Sequence, residues 1–209
     1  MDLVNGVNKA QQTDVSEQIE QRRKPTKAQA EEAVKVLLEW IGEDPLREGL
    51  HETPSRVVKA WSEYTVGYAS DPVTILTKTF ENPEGYSEAV VLRDISFVSH
   101  CEHHMAPITG FADVAYIPSG RVVGISKIAR IVECFARRLQ TQETMTAQIA
   151  NCIHDNLMPI GTAVRTRATH ACMTNRGVCK AGTLLTATAF RGEFENNLTL
   201  KSQFLSAQI

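Results

Sequence analysis

No stretch of this 209-residue chain is long and apolar enough to cross a bilayer, and its first two dozen residues lack the uninterrupted apolar core of an export signal. A cytoplasmic protein without a membrane partner is therefore expected. Charge of one sign is lacking as well: 22 Lys and Arg stand against 24 Asp and Glu, a formal net charge of -2. Such a balance gives no general attraction to nucleic acid, so any anion site has to be built locally. There is no internal repeat and no low-complexity tract. The cysteines number five, an odd count with no export signal, which argues against a disulfide framework and for reduced thiols or metal ligands.

What is present suits one ordinary globular domain, since 43% hydrophobic residues supply a substantial core. Residues 1–25 are rich in Gln, Asn, Asp, Glu and Lys and read as a flexible tail. From Thr26 onward Ala30, Ala33, Val34, Leu37, Leu38 and Ile41 recur at helical spacing up to Gly42. Thr53-Pro54 then opens a second helix with Val57, Ala60, Trp61 and Tyr64 on one stripe. Residues 26–70 are thus expected to form a helical region ahead of a catalytic domain over 71–209.

In that second part, 89–99 reads as a strand, and 111–116 with 121–125 as a hairpin through Pro118-Ser119-Gly120. Ser126 is expected to cap a helix with the stripe Ile128, Ile131, Val132, Phe135 and Leu139, and a second long helix runs through Met145, Ile149 and Leu157. Two longer strands follow over 163–173 and 183–194, the first placing His170 and Cys172 on one face by alternation. Strands around a helical pair, without regular βαβ alternation, indicate an α+β domain with a largely antiparallel sheet.

Cys101 and His104 are two residues apart, a spacing that lets a thiolate and an imidazole converge on one ion from one tight loop. Cys172 is the best remote partner. There is no second Cys-x2-Cys knuckle, which favours a set of three ligands, the number that leaves catalytic zinc a position for water. Cys134 and Cys152 fall inside expected helices as small apolar residues. Cys179 could be a fourth ligand but is preferred as a bystander. His103 and His170 flank the ligands and suit proton transfer, although a lone histidine is more often a hydrogen-bonded structural residue.

An anion site is expected where Ser126, Lys127 and Arg130 open a helix, because free amides and two cations meet there. Arg176, and Arg56 with Lys59, could extend it, against the plainer reading that helix cations are solvated. Glu143 could be a favourable first-turn acid or could hold a guanine edge.

Four runs carry a resemblance to a known family: Ser99 to His104, Gly124 to Glu133, Arg138 to Glu143, and His170 through Val178. Together with Thr53-Pro54-Ser55-Arg56 they resemble GTP cyclohydrolase I, over roughly Glu43 to Leu205. Departures are Thr144 and Met145, where the family commonly has a longer, often basic residue and then Leu or Ile, and a first strand that begins Glu88-Ala89-Val90. The resemblance implies a tunnelling fold, a toroidal homodecamer with sites at subunit boundaries, and zinc on Cys101, His104 and Cys172. It implies that His103 and His170 handle protons, that Gln142 and Glu143 recognise guanine, and that Ser126 lies near the ribose. Lys127, Arg130 and Arg176, with Arg56 and Lys59, would hold the triphosphate. The implied reaction on GTP starts with water, activated at the metal, adding to C8 of guanine; ring opening, loss of formate and an Amadori-type rearrangement then lead to 7,8-dihydroneopterin triphosphate. Two rivals remain. A zinc nucleobase deaminase would need His-x-Glu and Pro-Cys-x-x-Cys, which are missing. A non-catalytic scaffold with structural zinc would have shed His103, His170 or the cations, and all are here.

Overall fold

The computed structural model describes residues 24–81 and 85–206, so the expected tail over 1–25 lies almost wholly outside them. The chain divides into two units at Trp61/Ser62. In the first, α1 (Lys27–Trp40) starts at Thr26, whose side chain accepts from the Gln29 amide while Gln29 reaches back, a reciprocal cap. None of its residues is buried, and of the stripe read from the sequence Ala30, Val34 and Leu38 are half-covered among the described residues. Helix α2 (Thr53–Tyr64) spans the division and opens at Thr53-Pro54, where the missing proline N–H costs nothing.

The second unit begins with a single 3-10 turn (Val66–Ala69) and α3 (Pro72–Leu76), capped by Asp71. Strands β1 (Thr79–Glu81), β2 (Val90–Cys101), β3 (Pro107–Ile117) and β4 (Arg121–Val123) lead into helix α4 (Ile125–Ala136). The short β5 (Leu139–Gln140) precedes α5 (Gln142–Leu157), β6 (Gly161–His170) and the one-turn α6 (Ala171–Thr174). Then come β7 (Leu185–Gly192), α7 (Glu193–Asn196) and α8 (Leu198–Ser206). The main sheet has the order β5-β2-β3-β6-β7, antiparallel except where β5 runs parallel to the end of β2.

Alternation along the strands builds a core on each face. Ile108, Ala112 and Val114 of β3, with Val164 and Ala168 of β6, pack under Ile128, Ile131 and Val132 of α4 and Met145, Ile149 and Ile153 of α5. The intervening positions Ala115, Ile117 and Ala163 meet Phe194 of α7 and Phe204 of α8. The result is the expected α+β domain with its two long helices on one side of a mostly antiparallel sheet.

Four local expectations are corrected. The 111–125 hairpin does not form: β4 pairs with β1, because both edges of β3 are already taken by β2 and β6. Tyr116 links the two, its hydroxyl accepting from the Val123 amide at 3.2 Å. Helix α4 is capped by Gly124 and not by Ser126, which stands one residue inside the helix. Leu139 belongs to β5, not to the α4 stripe, since the helix ends at Ala136. Finally, the strand expected to run to 173 stops at His170, where its ladder with β3 runs out near Pro107, a residue with no N–H to pair.

Candidate metal centre

Strand β2 passes into β3 through a tight loop. The Cys101 amide donates to the Ala106 carbonyl at 2.8 Å, and the Met105 amide returns to the Cys101 carbonyl at 2.7 Å. Met105 takes a left-handed conformation, φ +53°, to make the turn. This loop carries His103 and His104 just beyond the buried Cys101. Because Ile108 sits opposite His170 in the ladder, the end of β6 arrives beside the same loop, and α6 starts there. Cys172 therefore reaches the site from a helical turn and not by strand alternation with His170.

The ligand atoms of Cys101, His104 and Cys172 all lie within 4.8 Å of one another. Zinc with bonds of about 2.1–2.3 Å in a tetrahedron spaces its donors roughly 3.5–3.8 Å apart, so small side-chain rotations suffice. Two sulfurs and an imidazole are also the donor chemistry zinc takes, and the set fits the ion. Cys179 is exposed and outside the cluster. Burial, and then the neighbouring Cys101, push the Cys172 thiol above its ordinary range, a cost that a bound cation reverses.

The proposed proton carriers differ in setting. His103 is exposed, with Nδ1 3.8 Å from Cys101 Sγ and Nε2 3.8 Å from the Glu102 carboxylate. His170 is half-buried, its Nε2 2.8 Å from Gln142 Oε1. Burial lowers its pKa, against an opposing pull from the nearby Glu143. Thr141 caps α5 by accepting from the Thr144 amide, which brings Gln142 and Glu143 to the helix start beside His170. Glu143 is exposed and open to a ligand. Gln142 is fully buried, and both its side-chain nitrogen and oxygen are already hydrogen-bonded within the chain. Its partner Thr166 went unnoticed in the sequence, although β6 alternation puts Thr166, Ala168 and His170 on one face.

Among the expected phosphate-binding residues, Arg176 is exposed and close enough to Cys172 to favour its thiolate. Ser126 and Arg130 are exposed on the first turns of α4, with Lys127 half-buried between them, and this helix packs on β2. Arg130 also lines a cavity of about 240 Å³ with Glu133, Cys134 and Arg137, to which none of the three cluster residues contributes. Arg56 and Lys59 belong to the first unit, where Arg56 pairs with Glu52.

Residues 30–208 match the family model described as GTP cyclohydrolase I. Curated relatives named GTP cyclohydrolase 1 include that of Maricaulis maris (strain MCS10), 54% identical over 182 residues, 87% of this chain and 89% of its own length. That of Hyphomonas neptunium (strain ATCC 15444) is 53% identical over 184 residues, covering 88% and 89%. The protein of Brucella abortus (strain S19) is 54% identical over 184 residues, covering 88% and 86%.

Proposed function

Because the chain belongs to the GTP cyclohydrolase I family and is an enzyme of it, we propose that it hydrolyses GTP with release of formate to give 7,8-dihydroneopterin triphosphate, the first step of tetrahydrofolate and pterin biosynthesis. The observation that carries this reading is the convergence of Cys101, His104 and Cys172, with His170 and Glu143 alongside. These three residues would hold zinc, which supplies a Lewis acid able to make water a nucleophile near neutral pH.

The chain's own groups do the rest. Glu143 accepts two parallel hydrogen bonds from adjacent donors on the guanine edge. Water adds to C8 and the imidazole ring opens to a formamide; a second water releases formate from it, and after the ribose rearranges the pterin ring closes with loss of one water. His170, held neutral by burial, accepts a proton and returns it during ring opening, while the exposed His103 exchanges protons from the solvent side. Ser126 lies near the ribose. Lys127 and Arg130 at the α4 start, with Arg176, Arg56 and Lys59, hold the triphosphate. The protein works as a cytoplasmic homo-oligomer, a decamer with sites at subunit boundaries, so residues of α4 and of the first unit need not serve the cluster of their own chain. Among the described residues no helix is long and apolar enough to cross a membrane.

Purified protein given GTP is expected to release formate and yield a pterin that fluoresces after oxidation. Zinc bound with no formate released would instead make the chain a non-catalytic scaffold.

A further inference from the structure

We propose that Gln142 is the positioning residue for His170, dictating which ring nitrogen carries the hydrogen and which is left as the proton acceptor. The use given to His170 rests on the function proposed above; the hydrogen-bond argument does not.

Gln142 is the first residue of α5 and is fully buried. Its Nε2 faces three acceptors: the Thr166 carbonyl at 3.1 Å, Thr166 Oγ1 at 3.0 Å and the Leu185 carbonyl at 3.1 Å. Turning the amide over would set its oxygen against two carbonyls and strand that of the buried Thr166 in the core, where an unmet polar group is costly. The remaining hydrogens agree. The Thr146 hydroxyl donates to the Gln142 carbonyl at 2.7 Å and stands 2.7 Å from Thr166 Oγ1. With its own hydrogen spent, Thr146 accepts from Thr166, which leaves Thr166 Oγ1 an acceptor toward Gln142.

Gln142 Oε1 is thereby fixed as an acceptor 2.8 Å from His170 Nε2. A neutral imidazole has one donor and one acceptor nitrogen, so Nε2 bears the hydrogen and Nδ1 is the atom that takes a proton and gives it back. A glutamine suits this position better than a glutamate, because a carboxylate has no N–H for the Thr166 and Leu185 carbonyls. The arrangement also explains a glutamine with no free polar atom beside a residue assigned to guanine: its side chain serves the histidine.

The test reads the 15N spectrum of full-length protein labelled at histidine, at a pH where the rings are neutral, with the His170 signals identified by their loss in His170→Ala. The expected result is a protonated Nε2 and a bare Nδ1. A protonated Nδ1, or signals averaged between the two tautomers, would overturn the inference. Neither outcome depends on turnover, so a failure to process GTP would count against the proposed function and leave this assignment standing. In Gln142→Leu the two signals should move toward an average and kcat should fall about 10–100-fold, the usual cost of losing an orienting partner, with GTP affinity unchanged. Weakened GTP binding with unaltered His170 signals would make Gln142 a guanine contact and refute the assignment. Where Gln142→Leu does not fold, the tautomer in the unaltered protein decides.

Discussion

Asp113 is fully buried in β3 and its carboxylate receives Arg165 Nε at 2.8 Å and Nη2 at 2.6 Å, with Arg93 and Arg167 each 3.7 Å away. Its other oxygen accepts from the Asp94 amide at 2.9 Å, where β2 bulges and Asp94 takes φ +51°. Arg93 and Arg165 go on to hold the last carbonyls of α8, at Phe204 and Leu205. At the far end of the same strands, Cys101 is buried, Cys172 half-buried and His104 exposed. In the first cluster the buried Asp113 carboxylate is neutralised and hydrogen-bonded by its neighbours, and the cluster binds the chain to itself. The second holds two thiols that repel one another when both ionise, with one imidazole beside them, and a cation is what stabilises the pair of thiolates. Polar side chains mark a reactive site when their chemistry calls for a partner from outside the chain, not simply when they cluster.

That contrast breaks most sharply at Cys172→Ser. Zinc content and turnover should disappear together, turnover by at least about 10³-fold, while the thermal midpoint of the metal-free protein barely moves. His170→Ala should keep the zinc and lose about 10²–10⁴-fold in turnover. Equal loss of metal in both variants would erase the division between ligand and proton carrier. Asp113→Ala should do the reverse of Cys172→Ser: the surviving folded protein binds zinc, but the stranded Arg165 costs about 3–5 kcal/mol, a fall of roughly 10 °C in midpoint. Arg176→Ala should weaken GTP binding about tenfold and leave guanosine untouched, measured by titration with each. An equal effect on both would place Arg176 away from the phosphates.

The smallest effect is in acid. Burial, with Arg137 adding to it, lowers the His100 pKa, and burial lowers that of His170. A depressed histidine means the unfolded chain takes up its proton first as pH falls. Stability is therefore fully present above the ordinary histidine value of about 6.5 and declines from there toward the lowered values. Denaturation midpoints of chelator-treated protein between pH 7.5 and 5.5 should show that decline, shallower in His100→Gln.

The two clusters also differ in how far the sequence disclosed them. Cys101 and His104 were legible because their spacing is local and fits one loop. Cys172 is legible by its chemistry, but the strand expected through it is too long: strand propensity does not reveal where a ladder loses its partner, here at Pro107. The missing hairpin has the same origin, since alternation identifies β4 as a strand without telling it to pair with β1. Asp113 and Arg165 are 52 positions apart and meet only through the register of β3 on β6, which no local pattern encodes. Gln142 stands out in the sequence by its motif, but its burial depends on β6 and β7 closing over the start of α5, which no local pattern encodes. The α1 stripe was read from periodicity, but periodicity does not say what covers it.

Zinc K-edge absorption of the loaded protein tests the central claim most directly. The account predicts two sulfurs at about 2.3 Å and two lighter donors at roughly 2.0–2.1 Å, one from His104 and one from solvent. A third sulfur, contributed by Cys179, would close the coordination shell and contradict it.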